Sequence, residues 1–179
     1  MRLPEPAGGL TLRRWRDGDA AALTAAAGDP DLHRWTSLRV EHPDEASAWL
    51  TAQHAGWTTG TRYSFAVVDD QDGLLGHVAL KRPGAPATEA EVGYWTAAYA
   101  RGRGVAPGAV RIVTCWAFAE FPHLRRLRLL HQVDNTASCR VALKSGYAYE
   151  QTLKAQDPYP REGHVHVLLG SRAIGDGEA

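Results

Sequence analysis

A glycine-rich turn between a strand-like segment and an apolar helical segment is the feature that most constrains this chain. The turn occupies residues 101–106, after a strand-like run at 91–96 and before a helical run at 110–119. The start of a helix leaves several backbone N–H groups without intrahelical partners and carries partial positive charge. Gly102 and Gly104 permit positive φ and the close approach of a ligand. The turn therefore predicts an anion site that suits a phosphate or pyrophosphate, and its two arginines, Arg101 and Arg103, add positive charge.

The residues after the turn exclude two nucleotide-binding templates. No Gly-Lys-Ser/Thr follows, so the turn is not a P-loop, and Pro107 stands where G-x-G-x-x-G requires its last glycine. The spacing Arg-x-x-Gly-x-Ala, from Arg101 to Ala106, resembles the acyl-CoA-binding motif of the GCN5-related N-acetyltransferase (GNAT) family. That family's loop reads Gln/Arg-x-x-Gly-x-Gly/Ala.

Periodicity and turn signals predict the element order β-α-α-β-β-β-α-β-α-β-β. No repeat or linker divides the chain, so residues 1–179 are predicted as a single domain with a loose lead-in at 1–9 and a polar tail at 172–179. The order is similar to that of the GNAT family. The resemblance implies an α+β, three-layer fold: a mostly antiparallel twisted sheet of about seven strands, with one parallel splayed pair, flanked by four helices. Residues 31–40 are predicted as loop with a helical turn.

Two further segments match the family's RimJ/RimL-like branch. Asn135-x-x-Ser138 precedes Gly146-Tyr147, and the strand at 91–95 reads Glu-Val-Gly-Tyr-Trp. Alone, Asn135 would be an ordinary helix N-cap and Ser138 a solvated helix residue. Three segments in order at family-like separations are more specific than any one of them. That branch acetylates protein N-termini, and related members act on antibiotics or other amines.

The resemblance implies acetyl-CoA, or another acyl-CoA, as co-substrate. Its pantetheine arm would pair with the backbone of Tyr94, Trp95 and Thr96, where two parallel strands part. Its pyrophosphate would lie on backbone N–H groups across the turn, namely Arg101, Gly102, Arg103, Gly104, Val105 and Ala106. Pro107 has no N–H, so any phosphate contact that relatives make with that amide is lost here.

The same resemblance implies roles in catalysis. Asn135 would bond the pantetheine, and Ser138 would protonate the leaving thiolate. The amine must arrive neutral, so a base or a water chain must take its proton. Glu91, which shares a strand face with Gly93, is one candidate base, and His131, which titrates near neutrality, is the other.

The resemblance implies an acceptor pocket walled by the first two helices and a late loop, which correspond here to residues 33–39 and 157–162. Its candidate residues are Trp35, Arg39, Tyr159 and Arg161. The two arginines would favour an acidic acceptor or an anionic acyl group, so succinyl-CoA is an alternative to acetyl-CoA.

No metal site is predicted. The two cysteines, Cys115 and Cys139, lack metal-ligand spacing, and although His164 and His166 share a strand face, no third ligand is evident.

Composition limits the classes of function and location that remain possible for this chain. Lys+Arg and Asp+Glu number 20 each, and this zero formal charge argues against nucleic acid as a partner. No signal pattern or membrane-length apolar stretch is present, so we expect a cytoplasmic protein without membrane contact. Two alternatives to an N-acyltransferase stay open: a non-catalytic CoA-binding sensor of the same fold, and an RNA-associated domain using Arg125, Arg126 and Arg128. Homodimers are common in this branch, although no residue here indicates one.

Overall fold

A seven-stranded mixed sheet with helices on both faces forms the protein. The computed structural model describes residues 1–81, 87–156 and 161–170. Its strands are β1 (Thr11–Arg14), β2 (Arg62–Val68), β3 (Leu74–Lys81), β4 (Glu89–Thr96), β5 (Arg126–Gln132), β6 (Ala148–Leu153) and β7 (Gly163–Leu169). Its α-helices are α1 (Ala20–Ala27), α2 (Pro30–Trp35), α3 (Pro43–Thr59), α4 (Val105–Glu120) and α5 (Thr136–Lys144). None of these helices is both long and apolar enough to cross a membrane.

The strand order confirms the predicted α+β fold. The strands lie in the order β1-β2-β3-β4-β5-β7-β6, and every neighbouring pair is antiparallel except β4 and β5. The short connections before and after β3 account for the antiparallel run from β2 to β4, whereas α4 provides the crossover that a parallel pair requires. The tail predicted at 172–179 lies outside the described residues.

The parallel pair separates partway along its length. Paired residues run from Glu89–Arg126 to Val92–Leu129 and then stop. β4 nevertheless continues to Thr96 and stays paired with β3 as far as Gly76. A wedge therefore opens between β4 and β5 at their carboxyl ends, which is the splayed pair that the sequence predicted.

Strand alternation assigns the helices to two faces of the sheet. On one face, Trp116 of α4 meets Phe65 of β2 edge-on, with ring centroids 5.1 Å apart. On the other face, Trp49 of α3 meets Trp15 edge-on at 5.1 Å, beside His77 of β3. Since Phe65 and His77 occupy opposite faces by register, the sheet is enclosed between two helical layers.

One helix was missed by the sequence prediction. Pro30–Trp35 forms α2, where we predicted a loop with a helical turn. Asp29 caps it by accepting a bond from the Asp31 N–H at 3.1 Å, and Pro30 occupies the first turn, where a missing N–H costs nothing. α1 ends at Ala27 and α2 begins at Pro30, so the described part of the chain has five α-helices where four were expected.

Candidate active site

The glycine-rich turn has the geometry of an anion cradle. Gly102 and Gly104 have φ of 75° and 78°, and a Cβ built at either would meet nothing within 4 Å. Gly108 N–H donates to the Gly104 carbonyl at 3.1 Å, so the helical ladder of α4 starts there. The amides of residues 102–106 therefore have no partner within the helix, and they lie at the positive end of its dipole.

Arg101 differs from its predicted role. Its N–H donates to the Ala98 carbonyl at 3.3 Å, and its guanidinium binds the carboxylates of Asp29 and Asp31 at the start of α2. The amides of the turn that lack a backbone partner therefore begin at Gly102. Of the two arginines in the turn, Arg103 is the one whose side chain is exposed and not ion-paired among the described residues.

The wedge lies beside this turn and contains an unsatisfied hydroxyl. Beyond Val92, β4 has no pairing with β5, so its backbone presents a free edge toward the gap. The Thr96 Oγ1 atom at this edge is buried and has no hydrogen-bond partner among the described residues. Trp95 points to the opposite face, where it stacks on His77 with ring centroids 5.8 Å apart. That packing fixes the part of β4 that β5 no longer supports.

Asn135 and Ser138 meet Tyr94 at the mouth of the wedge. The Asn135 Oδ1 atom accepts a bond from the Ser138 N–H at 3.0 Å, which makes Asn135 the N-cap of α5 and leaves its side-chain NH₂ available as a donor. The Tyr94 hydroxyl donates to Ser138 Oγ at 2.9 Å. Burial raises the pKa of Tyr94 to about 12, against the opposing effect of this hydrogen bond, so the phenol stays protonated at neutral pH.

The Tyr94 hydroxyl is a functional group that the sequence prediction missed, because we assigned only a backbone role to Tyr94. Strand alternation could have indicated it: Tyr94 and Thr96 share a face, and the helix that follows β5 had to cover one face of the sheet. That α5 covers this particular face became evident only from the tertiary structure.

The two candidate bases lie on different faces. Glu91 lies three positions before Tyr94 on the strand, an odd offset, so it points to the opposite face, away from Ser138. Its carboxylate is 2.5 Å from Lys81 Nζ, in an ion pair whose side chains are both partly exposed. His131 lies on the face of Tyr94, and its Nδ1 contacts the Gln132 carbonyl at 2.8 Å. Burial, followed by the nearby His164, lowers the pKa of His131, with the Gln132 bond opposing.

The arginines predicted for the acceptor pocket are engaged within the protein. The Arg39 guanidinium donates to the carbonyls of His33, Thr36 and Leu38 at 3.0, 3.1 and 2.7 Å, which holds the carboxyl end of α2. Arg161 Nη1 lies 2.7 Å from the Asp134 carboxylate, next to the cap of α5.

The β5–α5 turn contacts two of the segments that the resemblance assigns to the acceptor pocket. Asp134, on the β5–α5 turn, also faces Arg34 of α2 at 3.6 Å, so α2 and the late loop both reach this turn. Trp35 is half-buried, and Arg34 lies 4.4 Å over its ring. Tyr159, the fourth predicted residue, lies outside the described residues.

Two of the three arginines in the predicted basic run, those on β5, form ion pairs. Arg126 binds Glu150 and lies 3.5 Å from Glu89, and Arg128 lies 3.9 Å from the same Glu89 carboxylate. These contacts occupy the charges that an RNA-binding interpretation would need.

Comparison with known proteins agrees with this geometry. Residues 9–148 match the family model described as the acetyltransferase (GNAT) domain. The ribosomal-protein-serine acetyltransferase of Escherichia coli K12 is 31% identical over 104 residues, which span 58% of this chain and 57% of that protein.

Solved structures show the same fold. RimL, a ribosomal L7/L12 alpha-N-protein acetyltransferase in complex with coenzyme A, superimposes with a TM-score of 0.83 at 16% identity, over 94% of this chain and 98% of its own. RimJ of Mycobacterium smegmatis, in complex with CoA-disulfide, gives 0.78 at 22% identity over 91% and 83%. The family model spans most of the sequence, and the fold has the splayed parallel pair, so this chain belongs to the GNAT acetyltransferase family.

Proposed function

We propose that this protein is an acetyl-CoA-dependent N-acetyltransferase whose acceptor is the α-amine of a peptide or protein N-terminus. The main observation behind this proposal is that β4 separates from β5 beyond Val92. The gap lies directly beside the unpaired amides of the glycine turn. An extended arm ending in a diphosphate matches a free strand edge next to an anion cradle, and family membership supplies the acetyl donor.

The residues present fit such a donor. Gly102 and Gly104 leave open space where side chains would block a phosphate, and the amides from Gly102 to Ala106 would supply its hydrogen-bond donors. Pro107 lacks an N–H, so the cradle offers one donor fewer at that position. Thr96, with its unpartnered hydroxyl, and the free NH₂ of Asn135 are polar groups that a pantetheine arm would satisfy.

Ser138 and Tyr94 form a proton-donating pair. The bound donor supplies a thioester carbonyl, which a neutral amine attacks directly with a thiolate as leaving group. The Tyr94 hydroxyl donates a hydrogen bond to Ser138 Oγ, so the Ser138 hydroxyl proton is free to point toward the sulfur. The leaving thiol has a pKa around 8.5 and needs little help, so the pair contributes about tenfold, below the roughly 10²–10⁴-fold that general acids typically provide.

The group that takes the amine proton has two candidates. Glu91 lies on the face opposite Ser138, where its carboxylate is ion-paired with Lys81. It could act as the base only for an amine that approaches from that face. His131 lies on the same face as Ser138. Comparing kcat/KM of Glu91→Gln and His131→Gln proteins at one pH distinguishes them, since the substitution of the true base lowers the rate by about a hundredfold or more.

A peptide amine acceptor is favoured over an acidic one. The E. coli relative is named as a ribosomal-protein-serine acetyltransferase, and RimL as an alpha-N-protein acetyltransferase. Within this chain, Arg39 holds carbonyls of α2 and Arg161 pairs with Asp134, so neither guanidinium is available to an anionic acyl group. The structure therefore gives the succinyl-CoA alternative no support.

The test is thiol release from acetyl-CoA with a panel of short peptides that differ in their first residue, alongside polyamines. We expect release with peptides, and a Ser138→Ala protein with kcat about tenfold lower at similar acetyl-CoA affinity. Ser47→Ala, an exposed serine on α3, is the matched control and should retain full activity. Acetyl-CoA binding without thiol release from any amine would instead support the sensor alternative.

A further inference from the structure

Three histidines and a cysteine converge on the sheet face that α5 covers. His131 on β5 lies directly across from His164 on β7, and His166 lies across from Leu129, so register places all three imidazoles on one face. Cys139 of α5 completes the cluster, because α5 packs against β5 and β6. One ligand atom from each residue lies within 4.8 Å of every other.

Several nitrogens in this cluster lack hydrogen-bond partners among the described residues. They are His131 Nε2, His164 Nδ1 and His166 Nδ1, and all three are buried. The His131 Nδ1 contacts the Gln132 carbonyl, which can only accept, so Nδ1 carries the proton and Nε2 keeps its lone pair. A histidine whose second nitrogen is anchored by a backbone carbonyl is prepared in the way that metal-binding histidines usually are.

The spacing of the ligand atoms is close to that of a tetrahedral metal site. His166 is fully buried, and the Cys139 Sγ lies 3.7 Å from its Nε2. Zn–S and Zn–N bonds of about 2.3 and 2.05 Å at a tetrahedral angle separate the sulfur and nitrogen by about 3.5 Å, which is close to that distance. The ligand atoms of the cluster lie within 4.8 Å of one another, so their largest separation exceeds the sulfur–nitrogen distance of a tetrahedral site by at most about 1.3 Å. Rotation of the half-buried side chains can close that difference.

We propose that His131, Cys139, His164 and His166 bind one thiophilic divalent metal ion, with Zn²⁺ as the preferred ion. Three imidazoles and a thiolate favour Zn²⁺ over Mg²⁺ or Ca²⁺, which take oxygen ligands. Four protein ligands fill a tetrahedral shell, so the site is of the closed, structural kind. The sequence did not predict it, because the third and fourth ligands are far from the His164–His166 pair along the chain.

A bound ion would have two consequences. It would tie α5, which carries Asn135 and Ser138, to strands β5 and β7, and so stabilise the mouth of the wedge. It would also occupy the His131 lone pair, so the metal-bound protein could not use His131 as a base.

The experiment uses full-length protein without a polyhistidine tag, stripped with a chelator and titrated with Co²⁺ and then Zn²⁺. We expect one Co²⁺ per chain, with the visible absorption of tetrahedral Co²⁺ and a thiolate-to-metal charge-transfer band, both removed by one equivalent of Zn²⁺. Cys139→Ser should lose the charge-transfer band, and His164→Gln should keep that band while binding at least about tenfold more weakly. Cys115→Ser, which changes the exposed cysteine on α4, is the matched control and should behave as the wild type.

Two results would overturn the proposal. One is wild-type protein with no tetrahedral Co²⁺ spectrum and no rise in melting temperature with Zn²⁺. The other is a charge-transfer band that depends on Cys115 rather than Cys139. Circular dichroism of each variant distinguishes a lost site from a lost fold, and His164→Gln provides the decisive readout if Cys139→Ser does not fold.

Discussion

The free energy of unfolding is expected to fall steeply below pH 6.5, because His77 takes up a proton there only when the chain unfolds. His77 is 4% exposed, and the rings of Trp15, Trp49 and Trp95 lie 5.9, 5.4 and 5.8 Å from its own. Its Nδ1 accepts a bond from Trp15 Nε1 at 3.1 Å. Burial, and then the positive charges of Arg62 and Lys81, lower the pKa of His77 to about 3.

The magnitude follows from the difference between folded and unfolded chains. Unfolded His77 takes up a proton near pH 6.5, whereas the folded protein does not do so until the pH approaches 3. Between these values the unfolded state binds more protons, so the free energy of unfolding falls by about 1.4 kcal/mol for each pH unit. The loss from this residue is about 2 kcal/mol by pH 5, a large share of the stability of a small protein. It acts on the support of Trp95, and therefore on the strand edge that lines the wedge.

The assay is urea unfolding followed by tryptophan fluorescence at pH 7 and pH 5. A His77→Gln variant keeps an acceptor for Trp15 Nε1 but has no titrating group, so it should be less stable than the wild type at pH 7. That deficit should shrink by about 2 kcal/mol at pH 5. His123→Gln changes an exposed histidine and should follow the wild type at both values. A His77→Gln deficit that stays constant between pH 7 and pH 5 would refute the reasoning.

Three further outcomes are expected at the site. Gly104→Ala forces a side chain into positive φ at a cost of about 1–2 kcal/mol, which the turn would relieve by leaving this conformation. Acetyl-CoA binding measured by calorimetry should therefore weaken about tenfold. Gly18→Ala places a Cβ in open space without positive φ and should bind normally. Tyr94→Phe removes one hydrogen bond and should lower kcat about two- to tenfold in the wild type but not in a Ser138→Ala background; additive losses would show that Tyr94 does not act through Ser138. Arg39→Ala should lower the melting temperature by loosening α2 without changing the ratio of acetyl-CoA to succinyl-CoA turnover, and a changed ratio would restore the predicted role in acyl selection.

Local chemistry made several features readable from the sequence. Gly102 and Gly104 between a strand and an apolar helix required a turn with positive φ, and the helix start behind them required unpaired amides. Asn135 was recognisable as a cap, since the bond it accepts comes from a residue three positions away. Asp29 and Pro30 carried an equally local signal for the start of α2, which the prediction of a loop with a helical turn at 31–40 did not use.

The sequence by itself determined the element order apart from α2 and the glycine turn before α4, because these depend on periodicity and turn residues within a few positions of one another. The splayed α+β sheet was implied by the resemblance of three motifs to the GNAT family, and strand pairing confirmed it. Only the tertiary structure decided where the side-chain charges and protons go. Arg101 reaches Asp29 across 72 positions, Tyr94 reaches Ser138 across 44, and His166 reaches Cys139 across 27. Contacts over such separations depend on strand register and on which face a helix covers. Neither leaves a pattern in the local sequence, because the same alternation fits either face until packing selects one.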